Sequence, residues 1–418
     1  MSGSVLVRGA RQLLTLRGPA ESRRGAALKE LGIIHDGALL IEDGRIVEVG
    51  LSRRVENLAL AHRSQEIDAT GRVVMPGFVD CHTHLVWGPP RLDEYEAILR
   101  DAVPETVPAP EIPVNELRSA SAKRLEARAR QFVSTMARHG TTALEAKVGG
   151  GLDVRNELKI LRVHAMLHSS PLEIVSAFLA PPPSTAHTGR PGDYLFWLCT
   201  ELLPMIHRKG NVRFAGLDCG AAMFDMEQSR RYLEAARALG YRLKIQAGKQ
   251  RAYDAVRLAV EVGATSVDHL EETGPAEMDL VARSTATGVL LPGTCFRPGG
   301  GDRASVRQFI DHGGAAALGS NFHPGASSTC SMPAIIALAC AHLGMTPAEA
   351  ICAATFNAAC AIGSERVAGS LEVGKPADLI VLNASDYREI PFCFGVNLVN
   401  RTVKRGVVIY QEGRVLPA

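Results

Sequence analysis

The sequence predicts an α/β fold: a closed (β/α)8, TIM-like barrel carrying a small β-sandwich built from both chain ends. Three observations predict it. Short apolar strands alternate with amphipathic helices through the middle of the chain. Eight such strands can be counted, and the two ends carry hairpin signals without helical periodicity. Strand–helix alternation favours a parallel sheet, and eight units are the number that closes into a barrel.

In chain order, residues 1–74 read as short strands. Within 38–50, two apolar runs flank Asp43-Gly44, a turn dipeptide that tolerates positive φ. Barrel strands are then expected at 73–85, 141–148, 172–179, 212–219, 242–247, 265–270, 289–295 and 315–322. Helices are expected at 114–139, 154–168, 193–209, 226–239 and 253–262. The last stretch returns to strands, with one at 377–382 and a hairpin over 402–416 around Glu412-Gly413. The expected domains are therefore 1–74 and 365–418, joined as one β-unit, and a barrel over 75–364. Two proline-rich stretches, 103–113 and 181–191, are either covers for the barrel mouth or plain surface loops.

Composition bounds the function. With 46% hydrophobic and 22% charged residues, the chain can bury a large core and is not disordered. Lys+Arg 46 against Asp+Glu 44 leaves +2, which gives no basis for nucleic acid or an anionic membrane as partner. No apolar run approaches the ~18 residues of a membrane span, and no secretory leader is recognisable. Nine cysteines without CxxC pairs indicate a reduced, cytoplasmic protein rather than a disulfide framework.

In a barrel of this kind, chemistry sits at the C-terminal strand ends. Asp80-Cys81-His82-Thr83-His84 ends the first strand, and residues two apart face one side. His82 and His84 are thus candidate ligands for a divalent ion, or else hydrogen-bonded barrel histidines. His269 ends the sixth strand and is a candidate ligand or general base. Glu145 and Lys147 share a face at the end of the second strand, as substrate contacts or as an ion pair that holds the mouth together.

At these residues the sequence resembles the amidohydrolase superfamily, and most closely the imidazolonepropionases of histidine degradation. The resemblance is carried by Pro76-Gly77-Phe78-Val79-Asp80-Cys81-His82-Thr83-His84, His139-Gly140-Thr141-Thr142-Ala143-Leu144-Glu145-Ala146-Lys147, Val267-Asp268-His269-Leu270-Glu271, and Gly369-Ser370-Leu371-Glu372-Val373-Gly374-Lys375-Pro376. It spans nearly the whole chain. It implies hydrolysis of the cyclic amide of 4-imidazolone-5-propanoate to N-formimidoyl-L-glutamate, a bound zinc or iron, a small-molecule substrate and a homodimer. It also implies metal positions at His82, His84, Gln246 and Asn321, catalytic positions at His269 and Asn321, and Arg91 as the partner of the substrate carboxylate.

The sequence departs from the family pattern at several of those positions. Gln246 stands where the family has His, and Asn321 where it has Asp. Gly248 and Lys249 replace acidic residues, Gly150 replaces a Tyr, Pro181 a His, and Gly220 an acidic residue. The glycine-rich substrate loop expected near Glu111-Ile112-Pro113 is missing. An amide oxygen is a poorer zinc ligand than imidazole or carboxylate, and an amide is no base at neutral pH. Asp218, at the end of the fourth strand, and His323, two residues beyond Asn321, are the replacement ligands on offer. Two readings follow: a hydrolase of this family, or a silent or repurposed homologue that binds a small molecule or partner on the same scaffold.

Overall fold

The computed structural model describes residues 3–87, 92, 96, 114–148, 154–181, 190–219, 224–248, 252–293, 303–323, 327 and 329–413. Arg91, Gly150, Gly220 and Lys249 lie outside the described residues, as do 103–113 and most of 181–191.

The chain begins with five strands: β1 (Ser4–Leu14), β2 (Ile33–Glu42), β3 (Arg45–Leu51), β4 (Gln65–Asp68) and β5 (Val73–Pro76). Eight barrel strands follow: β6 (Phe78–Thr83), β7 (Thr141–Val148), β8 (Glu173–Leu179), β9 (Val212–Asp218), β10 (Arg242–Gln246), β11 (Ser266–Asp268), β12 (Thr287–Leu290) and β13 (Ala316–Leu318). The last three are β14 (Leu379–Leu382), β15 (Val399–Lys404) and β16 (Val407–Gln411).

Strands β6 to β13 pair in sequence order, every neighbour parallel. The ring closes where Thr83 bridges Phe322 in parallel. There the His84 N–H donates to the Phe322 carbonyl at 3.0 Å, and the Asn321 N–H donates to the His82 carbonyl at 3.0 Å. The expected (β/α)8 barrel is therefore present. The closure places His82, His84, Asn321 and His323 on one seam.

Residue alternation decides what faces the barrel axis. On β7, Leu144, Ala146 and Val148 join the outer apolar layer beneath the helices, which turns Glu145 and Lys147 inward. On β10, Leu243 and Ile245 face out and Lys244 and Gln246 face in; on β11, Val267 faces out between Ser266 and Asp268. Below these polar residues an apolar plug fills the interior, with Val175, Ala177, Phe214, Val289 and Ala317 packed against Ala358 and Ile362. The polar side chains are thus confined to one end.

The chain ends meet in a second sheet of order β16-β15-β14-β5-β1-β2-β3, with β4 beside β1. It encloses its own apolar cluster, drawn from both arms: Leu13, Leu39 and Ile41 against Val74, Leu379, Val381 and Val403. Folding one sheet around a shared core gives the expected sandwich. No helix among the described residues is long and apolar enough to cross a membrane.

Four expectations change in detail. The strand read over 73–85 is two strands: β5 pairs with β14 in the terminal sheet, and β6 opens the barrel. The break is at Gly77, where a Cβ would lie 2.2 Å from Thr142 Cγ2, so only glycine lets the chain pass from one sheet to the other. The helix read over 114–139 is interrupted at Ser121, whose side chain accepts the Arg124 N–H and caps a new helix, Ala122–Arg138. The helix read over 193–209 holds a π-turn, Leu198–Leu202, just before Pro204. Pro204 lacks an N–H, and the wider turn absorbs the missing bond. Finally, the C-terminal hairpin of the described residues turns at Arg405-Gly406, φ 48° and 75°; the arm expected beyond Glu412-Gly413 lies outside the described residues. Asp378 fixes it by accepting the Arg405 N–H at 2.9 Å and the Lys404 ammonium at 2.6 Å.

Gly77→Val is expected to cost about 1–3 kcal/mol through overpacking against Thr142, read as a lower urea midpoint at unchanged m-value. Adding Thr142→Ala removes the two nearest atoms and is expected to recover part of that loss.

Candidate active site at the barrel mouth

Four charged side chains lie buried at the inward strand ends. Glu145 Oε2 sits 2.8 Å from Lys147 Nζ, and Glu145 Oε1 sits 2.7 Å from Lys244 Nζ. Lys147 Nζ also donates to Asp268 Oδ2 at 2.9 Å. Each of the four is 3% exposed or less, so each charge depends on its partners rather than on water. Two carboxylates and two ammoniums balance. Burial alone would neutralise Lys147, but Asp268 and Glu145 outweigh it and hold the ammonium charged. Burial likewise pushes Asp268 up, yet Lys147 and Lys244 bring it well below the usual carboxylate range.

Asp268 passes this order on to His82. Its Oδ2 lies 2.8 Å from His82 Nδ1, and its Oδ1 accepts the Ser266 hydroxyl at 2.6 Å. Burial first, then the Lys147 charge, keeps the His82 imidazole well below its ordinary range and therefore neutral. With Nδ1–H donated to Asp268, Nε2 carries the lone pair. That atom is buried and has no hydrogen-bond partner. From the other side, Gly319 lets β13 approach closely, since a Cβ there would stand 2.8 Å from His82 Cβ. Asp80 is pinned by Ser320, whose N–H and hydroxyl donate at 2.9 and 2.5 Å. Burial pushes Asp80 up to about 6.

The imidazoles form a row. Ring centres are 5.1 Å apart for His269 and His82, 5.7 Å for His82 and His84, and 5.1 Å for His84 and His323. Trp87 packs edge-on against His323 at 3.9 Å. Among the described residues, His269 and Asn321 are two of the six non-glycine positions at positive φ, at 62° and 50°. Asn bears this conformation readily, and the surrounding structure holds His269 in it. His269 Nδ1 lies 3.8 Å from Glu272 and 3.9 Å from Glu271. Burial opposes its charge, but Glu272 and Glu271 raise the imidazole above its ordinary value. Burial in turn pushes Glu271 up to about 7.

Gln246 is buried at the end of β10, beside Asp268 and Asp218 in the register, and its Nε2 has no partner. Asp218 belongs to neither group of close metal-capable side chains among the described residues; those groups are His82 with Glu145 and Asp268, and His269 with Glu271 and Glu272. Of the two alternatives for Glu145 and Lys147, the ion pair is present: both lie within 2.9 Å of charged protein partners. Lys244 and Asp268 were not singled out from the sequence. Their signal is the two-residue spacing Lys244/Gln246 and Ser266/Asp268 at strand ends, the pattern that singled out Glu145/Lys147.

A divalent cation, implied by the sequence resemblance, meets donors of two kinds. On the β6 side the residues fit one: His82 offers a buried, unpartnered Nε2 while a carboxylate fixes its Nδ1, the usual way a ligating imidazole is held. His84 lies beside it. Asn321, on the same seam, and Gln246, at the end of β10, offer only neutral amides.

Residues 73–409 match the model of the amidohydrolase family. The chain is 38% identical over 425 residues to an imidazolonepropionase of Geobacillus kaustophilus, covering 98% of this chain and 99% of that one. It is also 38% identical to an imidazolonepropionase of Porphyromonas gingivalis, covering 97% of each. Among solved structures, a triazine hydrolase variant superposes with TM-score 0.73 at 17% identity, covering 99% of this chain and 96% of that one. Guanine deaminase of E. coli superposes with TM-score 0.72 at 16% identity, covering 98% and 99%. These two share the fold. With the family model spanning most of the chain and full-length relatives well above 30% identity, the chain belongs to the amidohydrolase family, on its imidazolonepropionase branch.

Proposed function

We propose that the protein is a metal-dependent hydrolase of a cyclic amide, and that it opens 4-imidazolone-5-propanoate to N-formimidoyl-L-glutamate. The observation that carries this reading is the full-length identity to imidazolonepropionases. Water adds to the ring amide carbon, the C–N bond breaks, and the ring nitrogen leaves with a proton. The same reading places the chain in the cytoplasm as a homodimer.

Zinc or iron would be held by His82 and His84; when bound, the ion supplies a hydroxide-like water near neutral pH and polarises the amide carbonyl. The protein's own groups do the rest. Asp268 locks the His82 ring in the tautomer that leaves Nε2 free. Lys147 and Lys244 keep Asp268 ionised. His269 takes a proton on Nε2, the ring nitrogen away from Glu271 and Glu272, and returns it to the leaving nitrogen. Asn321 cannot share that work, since an amide does not accept the proton. Gln246 instead offers an unsatisfied N–H donor, for which a substrate oxygen is a suitable partner. Arg91, outside the described residues, is the proposed partner of the propionate.

The amides at Gln246 and Asn321 favour a second reading, a binding protein on the hydrolase scaffold. The two separate in one assay, the disappearance of freshly made imidazolone propionate. The unmodified protein is expected to turn it over, and His269→Ala to lose about 10²–10⁴-fold in kcat. Turnover only after Gln246→His with Asn321→Asp would select the binding reading.

The ion cluster has its own outcome. Lys147→Met leaves two buried carboxylates sharing one ammonium and is expected to destabilise by about 3–5 kcal/mol, measured by chemical unfolding. Lys147→Met with Asp268→Asn is expected to lose less, because the Glu145–Lys244 pair remains balanced.

A further inference from the structure

We propose that the Trp87 indole N–H is a ligand-binding donor at the barrel mouth, and that it meets an oxygen of the cyclic-amide acid the site takes. The inference rests on the ligand of the hydrolase reading and names a contact to it that the sequence resemblance does not imply.

Three observations support it. The first is place. Trp87 follows the end of β6, and its ring lies 5.8 Å from the His84 ring and 3.9 Å from the His323 ring, at 52° and 71°. It therefore stands at the C-terminal end of the barrel, where chemistry sits in this fold. The second is an unmet donor. Trp87 is 6% exposed, and its Nε1 is buried with no hydrogen-bond partner. An indole nitrogen can only donate, and a buried indole N–H usually finds an acceptor. The third is support. The Trp87 carbonyl accepts from Arg128 Nη1 at 3.0 Å, a residue of the helix Ala122–Arg138, while the two imidazoles flank the ring. The donor is thus held in place before a ligand arrives.

Unpaired nitrogens of this kind are few. Among the described residues, the buried side-chain nitrogens without a hydrogen bond are those of His82, Trp87, His164, Lys244 and Gln246. Lys244 has its ion pair with Glu145, and His164 lies on the helix Val154–Met166 against Ser176 of β8. The other three stand at the mouth. His82 offers a lone pair, whereas Gln246 and Trp87 offer N–H donors. Buried donors favour a ligand that supplies acceptors over one that lacks them. A ring amide bearing a carboxylate supplies two kinds, the ring carbonyl oxygen and the carboxylate oxygens. The neighbouring imidazoles give the indole N–H a π face, which is a weak acceptor, so an oxygen is the better partner.

The test uses the full chain with ¹⁵N-labelled tryptophan. The chain has two tryptophans, so its proton–nitrogen spectrum holds two indole signals, and Trp197→Phe assigns them. Two probes are titrated. Hydantoin-5-propanoate is a stable cyclic amide with a carboxylate; imidazole-4-propanoate keeps the carboxylate and lacks the ring oxygens. Binding is expected to move the Trp87 indole proton downfield, as an N–H does on gaining an oxygen acceptor, and to leave that of Trp197 in place. Trp87→Phe keeps an aromatic ring against His84 and His323 and removes the donor. It is expected to weaken hydantoin-5-propanoate alone by about 2–10-fold where the ring oxygen is the acceptor, and both probes by about 10–100-fold where the carboxylate is. A Trp87 signal unmoved at saturation would overturn the proposal, and this readout stands even where Trp87→Phe does not fold. So would equal affinities of folded Trp87→Phe and the unmodified protein for both probes, or binding of neither probe. Turnover of imidazolone propionate with an unmoved Trp87 signal would leave the hydrolase reading standing without this contact. A moved signal with no turnover would do the reverse.

Discussion

The compensation of buried charge at the barrel mouth is the constraint on which the rest depends. Glu145, Lys147, Lys244 and Asp268 come from three strands, and none has water to stabilise it. Removing one partner of such a group exposes the others to the full cost of an unpaired buried ion. The four must therefore assemble together, which fixes the relative height of β7, β10 and β11. The same assembly settles the orientation of His82, because the oxygen of Asp268 that accepts from Lys147 also meets His82 Nδ1. Fold and site share one set of contacts.

Closure of the barrel supplies the second half of the site. The β6–β13 seam is held by two backbone bonds between residues 82–84 and 321–322 and by the close approach allowed at Gly319. Histidines distant in sequence become neighbours there without long side-chain reach. The left-handed turns at His269 and Asn321 stand at the ends of the strands they follow. Asn is among the residues that bear this conformation most readily, so the Asn at 321 is compatible with its backbone even though it changes the chemistry.

Much of this was legible in the sequence, and the limits are physical. Eight strands could be counted because alternation is a local signal, and Asp43-Gly44 announced its turn because that dipeptide tolerates positive φ. Glu412-Gly413 looked equivalent. The described hairpin turns at Arg405-Gly406, where Asp378 holds the backbone, a contact spanning 27 residues. Gly77 likewise needed Thr142 to explain it. His82, His84 and His269 stood out by type and position. Asp268 did not, since its meaning lies in partners 186 and 121 residues away. Whether Glu145 and Lys147 touched a ligand or each other was undecidable locally. Their ion pair is completed by Lys244, which no local spacing links to them.

Four of the departures from the family pattern move charge in one direction. Asp becomes Asn321, and acidic positions become Gly220, Gly248 and Lys249. Each of these four changes removes a negative charge. Asn321 offers a cation a neutral amide in place of a carboxylate. An anionic substrate gains, because the field it enters is more positive and its approach is less opposed. Under either reading proposed above, the same substitutions favour an anionic small molecule over a cation. Hydrolase and binder thus call for the same class of ligand, and they part only at the step where water must lose its proton.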